Sequence, residues 1–270
     1  MESVTRESVT RESVTREAGH DWQAEFQKTY AGPPSRIAER IWQEVLGDEY
    51  PAGMDPHSFT TVSELRRFAD ELHVEPGQVI ADVGCGRGGP GLWVAGATGA
   101  RLVGLDIAEN ALEAARARTA AMHVEADFRQ GSFEATGLPD ESVHAVMSID
   151  ALLFTPSKAA ALVELRRILR PGGRLVFTSI DYERQPAGRP PQVGDHRPLI
   201  RVAGFDVRTY DETVDWRGRS ERIYRALLDA VEALAAEAGE PVDDVRASLE
   251  EEAATVATMK RRVFAVAVAD

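Results

Sequence analysis

A short apolar run that empties into a cluster of glycines most restricts what this chain can fold into. Val79-Ile-Ala-Asp-Val83 leads into Gly84-Cys-Gly86-Arg-Gly88-Gly89-Pro-Gly91. The first stretch has the length and β-branched content of a buried strand. The second lets the backbone turn sharply and lets a ligand approach with no Cβ in the way. Leu92, Val94 and Ala95 continue as a helix, whose first N–H groups have no partner inside the helix and suit a carboxylate or phosphate. A second strand ends at Asp106, 22 residues beyond Gly84, where a carboxylate can take both hydroxyls of a ribose. Strand, glycine turn, helix, strand and acid together describe a site for a nucleoside-containing cofactor.

The alternation continues along the chain. Strands are predicted over Val79–Val83, Leu102–Asp106, Asp127–Gln130, Val143–Ile149 and Gly173–Ile180, with a sixth beginning at Gly204–Val207 and a seventh at Val263–Ala269. Helices fall between them, notably Ala108–Ala121 and Pro156–Leu169. Such a βα pattern predicts a mostly parallel sheet with helices on both faces and a ligand at the carboxyl ends of its strands. Three amphipathic helices precede the first strand, carried by Trp22, Phe26 and Tyr30, by Ile37, Ile41 and Val45, and by Val62, Leu65, Phe68 and Leu72.

Residues 2–17 read ESVTR three times and then Glu. A period of five turns successive valines by about 140° around a helix, so no apolar stripe forms. Residues 1–17 are therefore expected to be a disordered tail. The alternative is an arm that binds a partner or a second copy in a homo-oligomer. Residues 18–270 parse as one domain: a helical cap over 18–75, a cofactor core over 76–214, a helical insert over 215–260 and a last strand over 261–270.

Composition removes several classes. With 31 basic and 44 acidic residues the net charge is −13, the wrong sign for a nucleic-acid binder. One cysteine, Cys85, excludes an intramolecular disulfide framework and a cysteine-rich zinc site. No apolar run is long enough to span a membrane, and the polar N-terminus has no apolar signal core. These features point to a cytoplasmic protein.

Gly84-x-Gly86-x-x-Gly89 also satisfies the dinucleotide fingerprint, so an oxidoreductase is a second reading. Asp82 argues against it, because a carboxylate two residues before the first glycine repels a pyrophosphate and suits an ammonium group. Four stretches in order resemble the class I S-adenosylmethionine-dependent methyltransferases: Val79–Gly89, Leu102-Val-Gly-Leu-Asp-Ile107, Gly137-Leu-Pro-Asp-Glu-Ser-Val143, and Glu164-Leu-Arg-Arg-Ile-Leu-Arg-Pro-Gly-Gly-Arg-Leu175. The resemblance implies a Rossmann-like α/β fold: a seven-stranded sheet of order 3-2-1-4-5-7-6 with strand 7 antiparallel, N-terminal helices, and a helical insert between strands 6 and 7. It implies S-adenosyl-L-methionine as cofactor. Asp82 would hold the methionine ammonium, Gly84, Gly86 and Gly88 would line the methionine and ribose, and Asp106 would take the ribose hydroxyls. Ile107 would pack on adenine. Ser132 and Phe133 would sit near adenine N6, where relatives commonly carry an acid in place of Ser132. Ser148 and Asp150 would end strand 4 beside the methionine and the substrate mouth. No metal site is implied, and the Asn/Asp-Pro-Pro-aromatic motif of nucleic-acid amino-methylating relatives is absent.

The implied reaction moves a methyl group to O, N or C of a small molecule of specialised metabolism. A proton acceptor is needed only if the nucleophile must first ionise. His57, in the loop before the third helix, His196, beyond strand 5, and Tyr182, at the end of strand 5, are the candidates. The segment from Trp216 to Met259 is expected to form two helices broken at Gly239-Glu-Pro241. Trp216, Ile223, Tyr224 and Leu227 on the first of them are the expected acceptor wall. A methyltransferase fold that uses the sulfonium without transferring its methyl, as in a cyclase, is the other enzymatic alternative.

Overall fold

The computed structural model describes residues 21–55 and 58–270. The pentapeptide repeat and His57 lie outside the described residues. Seven strands form one sheet of order β3-β2-β1-β4-β5-β7-β6: β1 Val79–Val83, β2 Arg101–Asp106, β3 Ala126–Gln130, β4 Val143–Ile149, β5 Leu169–Tyr182, β6 Phe205–Glu212 and β7 Met259–Ala269. β1 to β5 pair in parallel, and β7 is antiparallel to both neighbours.

The inner strands β1, β2, β4, β5 and β7 are largely apolar because both faces of the sheet are covered there, whereas the edge strands β3 and β6 are mostly polar. Leu175, Phe177, Ala265 and Ala267 point to one face, where they meet α6 (Lys158–Ile168) and Ile200 of α7 (Arg197–Val202). Val176, Phe264 and Val266 point to the other, against α3 (Val62–Glu71), α4 (Gly89–Thr98) and α5 (Glu109–Met122). Helix α4 is apolar all round and lies buried, with Pro90 in its first turn, where the missing N–H leaves no bond unmade.

Two smaller helices stand at the start. α1 is Trp22–Thr29, capped by Asp21, and α2 is Arg36–Leu46, capped by Ser35, which accepts from Ala38 N at 3.0 Å. α2 buries Ile41 against Ile223, Leu227 and Leu234 of the insert. The insert holds three helices where two were predicted: α8 Trp216–Asp229, α9 Val231–Ala238 and α10 Val242–Val256. The unforeseen break is at Ala230, whose φ of −100° and ψ of 10° leave the α region without any glycine or proline to announce it.

Strand β5 begins at Leu169, ahead of the predicted Gly173, because Leu169 already pairs with Val143. The next pair is Ala145 with Arg174, so the Arg170-Pro171-Gly172-Gly173 stretch bulges out of the ladder. Among the described residues no helix is long and apolar enough to cross a membrane.

Candidate active site

The carboxyl ends of β1, β2 and β4 surround a cavity of about 330 Å³. A smaller recess of about 40 Å³ shares Tyr30, Gly84 and Ile149 with it and reaches Asp82 and Gly86. The chain path explains the shape. Gly84 leaves β1 with φ +76°, and its N–H and that of Cys85 both donate to Leu105 O, at 2.8 and 3.0 Å. This pins the glycine loop to the end of β2. A Cβ on Gly84 would collide with Ala151 and touch the Phe133 ring. Gly84→Ala is therefore expected to destabilise the fold by about 1–3 kcal/mol, measurable by urea titration, since neither the angle nor the space admits a side chain.

Asp106, at the end of β2, accepts from Gly86 N–H at 2.8 Å through Oδ2 and from Ala108 N–H at 2.9 Å through Oδ1. Each oxygen keeps a second lone pair for a ligand hydroxyl. Asp82 is buried at the recess, and a Cβ on Gly91 would strike its carboxylate, so only glycine leaves that side open. Burial, and then the charge of Asp106, push the Asp82 carboxyl up to about 7. Asp82 thus sits in the recess and Asp106 in the cavity that adjoins it at Tyr30, Gly84 and Ile149. A ligand with a cation at one end and a diol at the other fits both. Ile107, Ser132 and Phe133 line the cavity beyond Asp106, giving an apolar slot for a planar ring.

The wall opposite the sheet comes from α1. Trp22, Phe26 and Tyr30, four residues apart, face the cavity. Trp22 and Phe26 meet Phe154 with ring centroids 4.9 and 5.0 Å apart. The spacing of these rings was legible in the sequence as a helical stripe, but what they face was not.

Asp150 follows β4 in the left-handed region, φ +49°, and lines the cavity. Its carboxylate accepts from Arg262 Nε at 2.9 and 3.1 Å and from Phe59 N–H at 3.3 Å. Arg262 is fully buried and also donates to Glu64 Oε1 at 2.8 Å and Thr213 Oγ1 at 3.2 Å. Arg219 Nη2 lies 3.5 Å from the same Glu64 oxygen. This charge cluster was missed from sequence. The one available hint was a second arginine opening an otherwise apolar last strand.

A model of the methyltransferase domain matches residues 81–177, the stretch that builds this cavity from the middle of β1 to the middle of β5. Residues 81–177 are thus similar to the methyltransferase domain, and the sheet around them has seven strands in the order 3-2-1-4-5-7-6. Among its relatives is the methyltransferase GfsG of Streptomyces halstedii, 33% identical over 132 residues, 48% of each chain. Another is the sterol 24-C-methyltransferase ERG6B of Gibberella zeae, 37% identical over 108 residues, 39% of this chain and 28% of that one. The chain spans about half or less of the length of these curated relatives. The fold matches the [4+2]-cyclase SpnF with a TM-score of 0.71 at 19% identity, covering 92% of this chain and 95% of that one. It also matches the geranyl diphosphate C-methyltransferase of Streptomyces coelicolor A3(2), crystallised with S-adenosyl-L-homocysteine. There the TM-score is 0.64 at 14% identity, over 93% and 99% of the two chains. These two likenesses concern the fold alone.

Asp82, Gly84, Gly86, Asp106, Ile107, Ser132, Phe133 and Asp150 meet at the cavity and its recess. Other residues expected at the site lie elsewhere. Gly88 caps α4 with φ +74° and backs onto Ala115 and Phe128, where a Cβ would come within 2.9 Å of both. Its role is to let α4 and α5 pack. Ser148 points into the sheet packing and is buried. His196 is fully buried: its Nδ1 lies 2.8 Å from Asp181 Oδ1, which also accepts from the Tyr210 hydroxyl at 2.7 Å. Burial pushes Asp181 up, but the bonds from His196, Tyr210 and Arg261 outweigh it and hold the carboxyl below its ordinary value. His196 thus joins β5 and β6 through Asp181 and Tyr210, and it lines neither the cavity nor the recess. Ile223 and Leu227 belong to the packing of α8 on α2, not to a cavity wall. Trp216 is buried with its indole N–H donating to Glu212 Oε1 at 2.7 Å. Tyr182 and Tyr224 share a cluster with Leu153, Phe154 and Trp216, adjoining the cavity at Phe154. The Tyr182 hydroxyl is buried without a protein partner, and burial pushes its phenol well above the ordinary range.

Proposed function

We propose that the chain transfers a methyl group from S-adenosyl-L-methionine to a small-molecule acceptor. The observation that carries this reading is the placement of Asp82 in the recess and Asp106 in the cavity beside it, with Gly84 of the glycine loop lining both. Asp82 suits the ammonium of the methionine part, Asp106 the ribose hydroxyls, and Ile107 with Phe133 the adenine. The bound sulfonium supplies an activated methyl whose leaving group is a neutral thioether, so no protein acid is required. The residues then have three tasks: to fix the donor, to orient the acceptor and to keep water out. Trp22, Phe26 and Phe154 serve the last. Asp150 is engaged by Arg262 and Phe59, which keeps its carboxylate in place at the cavity wall.

For the acceptor we propose the side of the cavity at Phe154, which is backed by Tyr182 and Tyr224. Tyr224 also meets the Phe59 ring, 6.1 Å between centroids, linking the insert to the loop before α3. Tyr224→Ala is expected to lower acceptor turnover by about tenfold or more while leaving S-adenosylhomocysteine affinity within about twofold. A turnover assay and calorimetry on the same variant check it. Equal losses in affinity and melting temperature would reduce Tyr224 to core packing.

The deciding experiment for the function is incubation with trideuteromethyl-labelled cofactor and a cell extract. Products are then searched for the mass gain of one CD3 in place of hydrogen. The likeness to a cyclase fold supports a second reading, in which the cofactor is bound and not consumed. Accumulation of S-adenosylhomocysteine separates the two.

A further inference from the structure

Helix α1 has eight residues, none of them buried, yet its Trp22 and Phe26, with Tyr30 just past its end, wall the cofactor cavity. A helix so short does not persist on its own in water. Something outside it must hold it over the cavity, and two arginines from opposite sides of the site do so. Arg87, inside the glycine loop, lies with its guanidinium 5.2 Å from the centre of the Tyr30 ring, donates to Gly32 O just past the helix, and donates to Asp55 Oδ2 at 2.8 Å. Arg189, between β5 and α7, lies 5.1 Å from the Trp22 ring centre and 4.9 Å from that of Phe154. It also pairs with Glu252 on α10. Both side chains are only 9% exposed, so their contacts are made largely out of water. Other contacts add to these: the Phe154 ring meets Trp22 and Phe26, Gln27 bonds Asn110 of α5, and Lys28 forms an exposed pair with Glu240.

We infer that Arg87 and Arg189 are positioning residues that hold α1 as a strap over the cofactor. Arg189 joins that strap to the helical insert on the acceptor side. The inference rests on the reading that the cavity takes S-adenosylmethionine. Its content is mechanical. Trp22 leaves the cavity only when its contacts with Arg189 and Phe154 part, and Arg189, which also lies over Phe154, is itself anchored on α10. Displacement of α10 is then felt at Trp22, and an insert closed on its acceptor holds the cofactor in. Arg189 does not line the cavity, so its effect runs through Trp22 and Phe154.

The test measures the dissociation rate of S-adenosylhomocysteine from the full chain by stopped-flow displacement. Three variants are compared with the wild type: Arg189→Met, which keeps the stem and loses the charge; Arg189→Lys, which keeps a cation; and Glu252→Gln, which releases Arg189 from α10. Arg189→Met is expected to speed release by roughly three- to thirtyfold, the range spanned by one partly desolvated cation–π contact. Arg189→Lys should recover most of that change, and Glu252→Gln should fall between. Backbone amide exchange over residues 22–30 should rise in Arg189→Met and not in Arg189→Lys. A merely structural role would lower the melting temperature of both variants alike and give no rescue. If the wild type binds S-adenosylhomocysteine and Arg189→Met releases it at the wild-type rate with unchanged exchange, the strap is refuted and the cofactor reading stands. If the wild type binds no S-adenosylhomocysteine, the cofactor reading falls and takes this inference with it.

Discussion

In mildly alkaline buffer, Asp82→Ala is expected to weaken S-adenosylhomocysteine binding by about one to two orders of magnitude, the worth of a charge-assisted hydrogen bond made out of water. The wild-type protein should show a pH dependence that Asp82→Asn lacks. The Asp82 carboxyl sits near 7 because it is buried and lies beside Asp106. Below that pH the empty pocket carries a proton that must leave before an ammonium can be held. Affinity should thus fall up to about tenfold per unit as pH drops below about 7, and level off above it. The stability of the ligand-free protein runs the other way. A carboxyl raised above its unfolded value favours the fold below the unfolded pKa, and that contribution is lost as pH rises through about 7. Calorimetry across pH on both proteins is the measurement. A wild-type affinity that does not change from mildly acidic to mildly alkaline pH would remove Asp82 from the ammonium site.

Arg262→Met should be the most damaging single change to stability, by about 3–5 kcal/mol. The fully buried guanidinium faces Asp150 and Glu64 at once. Its loss leaves two carboxylates with little water to replace it. The prediction distinguishes lost charge compensation from lost volume, since methionine fills much the same space. Adding Asp150→Asn and Glu64→Gln to Arg262→Met should recover a large part of the loss, a non-additive result that independent sites would not give. Chemical denaturation of the single, double and triple variants checks it.

These two predictions rest on residues that differ in how readable they were. Asp82, Gly84 and Asp106 could be found from the sequence because their chemistry is local. A strand, its turn and the next strand fall within a few dozen residues, and each leaves a short-range pattern. The same holds for the sheet, whose inner strands are buried on both faces and so read as apolar runs. What escaped is what the tertiary fold assembles. Arg262 meets Asp150 across 112 residues of chain and Glu64 across 198, and no spacing rule reaches that far. His196 follows β5 along the chain, but its depth depends on Asp181, Tyr210 and Arg261 converging from three strands. Ile223 and Leu227 have the helical spacing expected of a wall. Whether such a stripe faces a ligand or another helix is decided by α2, from the other end of the chain. The break at Ala230 has no turn-forming residue to mark it.

The position of β7 also sets an order of events at the ribosome. The glycine loop, Asp82, Asp106 and Asp150 all leave the exit tunnel well before residue 262. Until then Asp150 lacks Arg262, Glu64 has only the more distant Arg219, and β5 and β6 have no strand between them. The sheet therefore does not grow outward strand by strand as it is synthesised. Its last-made strand must thread into a gap held open between two earlier ones, a non-local step that folds slowly. A nascent chain halted short of residue 262 would own the nucleoside-binding half and still be unable to bury it against the rest.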